Sequence, residues 1–122
     1  MTLTTILIII GRFLLGGYFL QAGVRNFTKL ELHTGILNKK NVPLPQVSIL
    51  VALAVQVLGG ASVAFGILPA VGAIGLILFT LAASALYHDF WSYSGNERSS
   101  HVGSWLTNGA LIGGFLLVIA IS

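Results

Sequence analysis

One arginine and a sparse set of amides, hydroxyls and imidazoles are the side chains in this sequence best placed to do chemistry. Arg12 stands inside the apolar run that opens the chain, nine residues after Leu3, about 13 Å along a helix. A guanidinium at that depth in a bilayer costs on the order of 2.5–3.5 kcal/mol, so it has to face protein and find acceptors. Gln56 lies nine residues into the second apolar run, which enters from the opposite side, so it too is expected near the midplane. Its carbonyl can accept from a guanidinium but cannot cancel the charge. Thr80, Ser84 and His88 follow at four-residue steps and form one polar stripe. His101, Trp105, Asn108 and Ile112 share a face of the last helix if that helix begins early.

Two readings of these residues stand side by side. In one, Arg12 is internal glue, bonded to helix carbonyls or to a partner helix. In the other it donates to an electron-rich carbonyl and stabilises developing negative charge. Gln56, Ser84, His88 and Asn108 then complete a ligand site. His88 and His101 flank the last polar segment and are candidate proton carriers. They lack a third ligand, so no metal is expected. With zero Cys, disulfide scaffolds, thiolate-bound zinc and iron–sulfur clusters are excluded. Ser, His and Asp are present, but no G-x-S-x-G elbow arranges them for hydrolysis.

The elements that position these residues follow from composition. Of 122 residues, 56% are hydrophobic and 7% charged, with a mean hydropathy of +0.96. A soluble domain carries about 25% charged residues, so this chain uses lipid as its solvent. A net charge of +3 spread over loops supplies no phosphate-binding surface, and no nucleic-acid partner is expected. A membrane helix needs roughly 20 apolar residues, and four windows qualify: 3–24, 47–66, 69–88 and 104–122. The expected fold is all-α, an integral membrane four-helix bundle forming a single domain over residues 1–122. No Lys or Arg precedes Arg12 and no cleavage site is evident, so the first run reads as a retained helix and not a signal peptide.

Gly66-Ile67-Leu68-Pro69 predicts a tight hairpin, with Gly past one helix end and Pro opening the next. Val42-Pro43-Leu44-Pro45 blocks helix continuation ahead of the second window. The apolar residues mixed with Lys29, Glu31 and His33 in the first loop are expected at the bilayer interface. Arg25, Lys29, Lys39, Lys40 and Arg98 all fall in the first and third loops. The positive-inside bias therefore places loops 25–46 and 89–103 in the cytoplasm and both termini outside. Small residues let membrane helices approach closely, and Gly16, Gly59, Gly60, Gly109 and Gly113 are the expected packing positions.

Several motifs resemble the DoxX family of membrane proteins. Arg12-Phe13-Leu14-Leu15-Gly16, with Phe19 and Gly23, resembles the family's opening; the likeness continues through Val42-Pro43-Leu44-Pro45 and Gln56-Val57-Leu58-Gly59-Gly60 with Gly66. It then runs through His88 with Phe90-Trp91, and closes at Asn108-Gly109-Ala110-Leu111-Ile112-Gly113-Gly114. Gln56 stands where the family often has Glu, and Thr107 where it often has Lys. The resemblance implies a four-helix protein of the prokaryotic plasma membrane, linked to quinone-dependent respiration; members include the small-subunit type of thiosulfate:quinone oxidoreductase. It therefore implies an accessory subunit of an oxidoreductase complex, with other membrane subunits and the lipid bilayer as partners. The alternatives are a subunit that contacts quinone through Arg12, and a small transporter or lipid-binding bundle. No motif in the chain binds a flavin or nucleotide, so quinone is the one candidate cofactor.

Overall fold

Proline, glycine and three left-handed residues divide the chain into its elements. The computed structural model describes residues 1–122. Helix α1 spans Leu3–Phe27, its first turn held by Thr2, whose Oγ1 accepts from the Thr5 amide at 3.1 Å. A short helix α2 follows at Leu30–Lys39, then α3 at Pro45–Phe65, α4 at Pro69–Tyr87, a single 3-10 turn at Phe90–Ser92, and α5 at Gly95–Ala120. Both α3 and α4 open on Pro behind a leucine with positive φ, Leu44 and Leu68, each at 48°. Proline in the first helical turn gives up an amide that has no partner there anyway. Gly66 ends α3 at φ 70°, where a side chain would be strained.

Four helices are long and apolar enough to cross a membrane, and α2 is the fifth, shorter one. The architecture is an all-α membrane bundle. Successive spanning helices pack as neighbours in the order α1, α3, α4, α5, and α2 lies against the first half of α3. Lipid tails are as apolar as leucine, so association has to come from close packing. Gly60 and Gly16 supply it between α1 and α3: a Cβ on Gly60 would lie 2.6 Å from the Leu20 amide nitrogen and 2.9 Å from the Gly16 carbonyl. A Cβ on Gly16 would strike Ala64 and Gly60. Gly59 does the same between α3 and α4, 2.9 Å from Leu76 and 3.1 Å from the Gly72 carbonyl. Where α1 and α5 meet, Phe19 and Phe115 pack edge to face at 5.1 Å, within a core that includes Val63, Ala73, Leu76 and Val118.

Besides the helix α2 inside the expected loop 25–46, two features depart from the sequence-based expectation. Helix α5 begins nine residues before the fourth window, and the expected third loop is mostly helix. Its first turns, Gly95–Ser100, are polar and exposed, so they form helix without adding hydropathy. The second concerns the expected packing glycines: a Cβ on Gly109 or Gly113 would meet nothing within 4 Å. Helix α5 instead turns Gly114, Phe115 and Val118 toward the bundle. A Cβ on Gly114 would lie 3.4 Å from Leu15.

These packing positions are separable by substitution. Gly60→Val should destabilise the detergent-solubilised protein by about 1–3 kcal/mol or prevent its folding, as overpacking does. Gly113→Ala should leave the thermal melting temperature unchanged. Equal losses from both would show that α1–α3 packing is not glycine-dependent.

Candidate functional site

The α1–α3 contact fixes how the two helices slide past one another. With Gly16 on Gly60 and Ala64, Asn26 near the end of α1 falls beside Gln56 at the middle of α3. Its Nδ2 donates to Gln56 Oε1 at 3.3 Å. Helix α1 therefore stops level with the middle of α3, and α2 packs beneath it through Leu37 on Ile49 and Leu53. Beside and below the last turns of α1 lies a cavity of about 780 Å³, within the range of small-molecule sites. Phe19 lies at one end of its lining, and His33 and Leu37 of α2 at the other.

The lining is mostly apolar, with polar groups on every side. Gln56, His88 and Asn108 line it, together with Asn26, His33 and Thr80. Asn108 Nδ2 donates to Ser84 Oγ at 2.8 Å, binding α5 to α4 behind the wall. His33 Nδ1 and the Tyr87 hydroxyl are 2.7 Å apart, tying α2 to α4. His88 and His101 approach through their Nδ1 atoms at 3.0 Å, and the His88 carbonyl accepts from Trp105 Nε1 at 2.7 Å. In a bond between two Nδ1 atoms one ring donates and the other accepts, so the pair breaks if both rings become doubly protonated. Tyr93 stacks on His101 at 4.5 Å. Outside the cavity, Lys40 and Asp89 form an ion pair at 2.8 Å that joins the segment after α2 to the end of α4.

Two buried atoms at this cavity have no hydrogen-bond partner: Thr80 Oγ1 and His33 Nε2. Thr80 is 3% exposed. An unpaired polar atom in such a place costs about 1–3 kcal/mol, and a ligand able to bond with it recovers that cost. Gln56 is also buried, and its only hydrogen bond uses its oxygen, so the amide nitrogen remains free to donate.

The sequence-predicted residues thus separate. Gln56, His88 and Asn108 come together at the cavity, Ser84 is one hydrogen bond behind it, and His101 is one hydrogen bond beyond His88. Arg12 does not join them. The offset of α1 carries its guanidinium to the far end of α3, where a Cβ on Gly66 would be 3.7 Å from Arg12 Cζ. Flush helices would have paired Arg12 with Gln56; the glycine contact puts Asn26 there instead. The sequence reading overlooked Asn26 and His33. Asn26 lies one residue past Arg25, at what reads as the exit of the first helix, and only the α1–α3 offset turns it inward. His33 carries a faint signal in its four-residue spacing to Leu37, the buried residue of α2.

The model of the DoxX family matches residues 7–89, which takes in α1 to α4 with Arg12, Gln56, Thr80, Ser84 and His88, and stops short of α5. No curated protein and no solved structure matches the chain.

The docking of α2 should depend on pH. Burial, with a contribution from Lys29, pushes the His33 imidazole below its ordinary 6.5. The folded state thus prefers neutral His33, and its contribution is complete above pH 6.5 and lost as pH falls toward the lowered value. As pH falls from 7.5 to 5, amide exchange in Leu30–Lys39 should slow by less than the base-catalysed intrinsic rate does, so that its protection factor falls, and His33→Gln should abolish that fall. A pH-independent protection factor in the unaltered protein would contradict the assignment.

Proposed function

The chain belongs to the DoxX family, and from that premise we propose that it is the membrane-embedded subunit of a quinone-linked oxidoreductase, with its cavity receiving the quinone head. The observation that carries this reading is the pair of unpartnered buried atoms, Thr80 Oγ1 and His33 Nε2, at an otherwise largely apolar cavity. A quinone offers carbonyl acceptors on a flat apolar ring, and both halves of that description fit the lining. Thr80 and the Gln56 amide nitrogen are donors within the wall; Asn108 holds a free amide oxygen there, since its one hydrogen bond uses Nδ2.

When bound, a quinone accepts two electrons and two protons. This chain has no motif that holds a redox centre, so the electrons come from a partner subunit. The chain's own part is to bind, to orient and to move protons. Thr80 and Gln56 orient the head from the walls of α4 and α3. The His88–His101 pair leads from the cavity toward Tyr93 and the start of α5, and exchange of a proton between the facing Nδ1 atoms passes charge along it. The positive-inside bias of Arg25, Lys29, Lys39, Lys40 and Arg98 supports a reading in which that end faces the cytoplasm of a prokaryotic cell, with both termini outside. Arg12 takes no part in this site.

A short-chain benzoquinone titrated into the purified protein, followed by tryptophan quenching, tests the reading. Thr80→Val keeps the shape and removes the hydroxyl; affinity should fall about fivefold, the worth of one hydrogen bond near 1 kcal/mol. Leu58→Ala, on the lipid-facing side of α3, should bind as the unaltered protein does. Equal affinity for Thr80→Val and the parent, or no saturable binding at all, defeats the proposal.

A further inference from the structure

The cavity opens sideways between α3 and α4. The close contacts of these helices at their glycines, Ser62 with Gly72 and Gly59 with Leu76, lie toward the hairpin. The last of them is at Gly75, where a Cβ would lie 3.4 Å from Val55. Past that point Val47 and Val51 of α3 and Leu78 of α4 line the cavity, yet each is more than half exposed. Side chains that face lipid and also line a cavity mark its opening to the membrane. The other walls suit an apolar chain less well. Leu37 of α2 packs on Ile49 and Leu53 at one end, and α1 brings the cation of Arg25 to its own side of the lining.

A second hollow, of about 470 Å³, begins where the first one opens, since Val51, Val55 and Gly75 line both. It follows the seam of α3 and α4 to Ile67 and Leu68 in the hairpin, past the buried Gly59 and Gly72. From Val51 to Ser62 is about 16 Å of helix. Ser62 is the one polar side chain in this groove, and its hydroxyl is occupied: Oγ donates at 2.6 Å to the Ile67 carbonyl and at 3.0 Å to that of Leu68. In lipid an apolar chain gains little by exchanging one apolar surface for another. What the groove supplies is direction, a track that leads away from the polar groups. Gln56, which lines the cavity, follows Val55 directly in α3, so the track starts one residue from a donor for the ligand's head.

We propose that the ligand of the cavity carries a long hydrocarbon tail, of the polyprenyl kind, which enters between α3 and α4 and lies in this groove toward the hairpin. The inference rests on the quinone reading of the cavity and adds which quinones fit it and by which face they enter.

A benzoquinone with a decyl tail ending in a diazirine, photolysed with the protein in phospholipid nanodiscs and mapped by mass spectrometry, tests it. The expected adducts fall on Ala54, Leu58, Leu68 or Val71, and an excess of short-chain benzoquinone removes them. Val71→Phe narrows the groove at an exposed position outside the cavity and should lower their yield at least fivefold. Ile74→Phe, equally exposed to lipid but outside the groove, should keep it. Groove adducts that the short-chain quinone leaves in place reveal chains drawn from the bulk lipid and overturn the proposal. So do displaceable adducts around Tyr18 and Arg25 of α1, or equal yields from the two variants. In each of these cases saturable binding of the short-chain quinone leaves the cavity reading intact. Its absence defeats that reading and this inference with it.

Discussion

The backbone contact of Gly16 with Gly60 and Ala64 governs most of what this bundle does. In lipid, two helices gain nothing by hiding leucines from solvent, so the place where backbones come closest sets their register. Here that place lies near the last turns of α3 and close to the centre of α1. The result is a first helix displaced along the membrane normal. One end stops halfway down α3, and the other overshoots the α3–α4 turn. The cavity, the short helix beneath it and the absence of Arg12 from the site are three products of a single displacement.

The two halves of the bundle satisfy different demands. Toward the α3–α4 turn, Phe19, Val63, Leu76 and Phe115 close the helices on one another without a polar atom among their side chains. Toward the opposite end, side-chain hydrogen bonds join α1 to α3, α2 to α4 and, twice, α4 to α5: Asn26 to Gln56, His33 to Tyr87, Asn108 to Ser84 and His88 to His101. Such bonds hold direction more than they add stability, because membrane hydrogen bonds are modest on average. They fix a shape that leaves Thr80 Oγ1 and His33 Nε2 buried without a partner. A packed half that carries the fold and a bonded half that carries a site is a sensible division for so small a chain.

Much of this was legible in the residues. The four spans, the Gly66–Pro69 hairpin and the early-helix alternative for His101, Trp105 and Asn108 rest on local rules of length, capping and helical spacing. So does the Thr80–Ser84 part of the polar stripe, whereas His88 stands just past the end of α4 with non-helical backbone. Other features depended on distances between helices, which no single helix encodes. Arg12 and Gln56 are equally deep in their own segments, yet depth counted along each chain says nothing about the slide between them. Gly109 and Gly113 have the right spacing for a contact, yet the rotation of α5 is decided by Phe115 and Val118. Helix α2 was hidden by its mixed composition, being too polar for a span and too short for a clear period.

The hydroxyl of Ser62, shared between two carbonyls of the α3–α4 turn, bears on how the protein reaches its membrane at all. A bend in which one hydroxyl serves two carbonyls has fewer peptide groups to desolvate. Since no charged residue lies between Pro45 and Tyr87, the α3–α4 hairpin crosses a bilayer without carrying a charge through it.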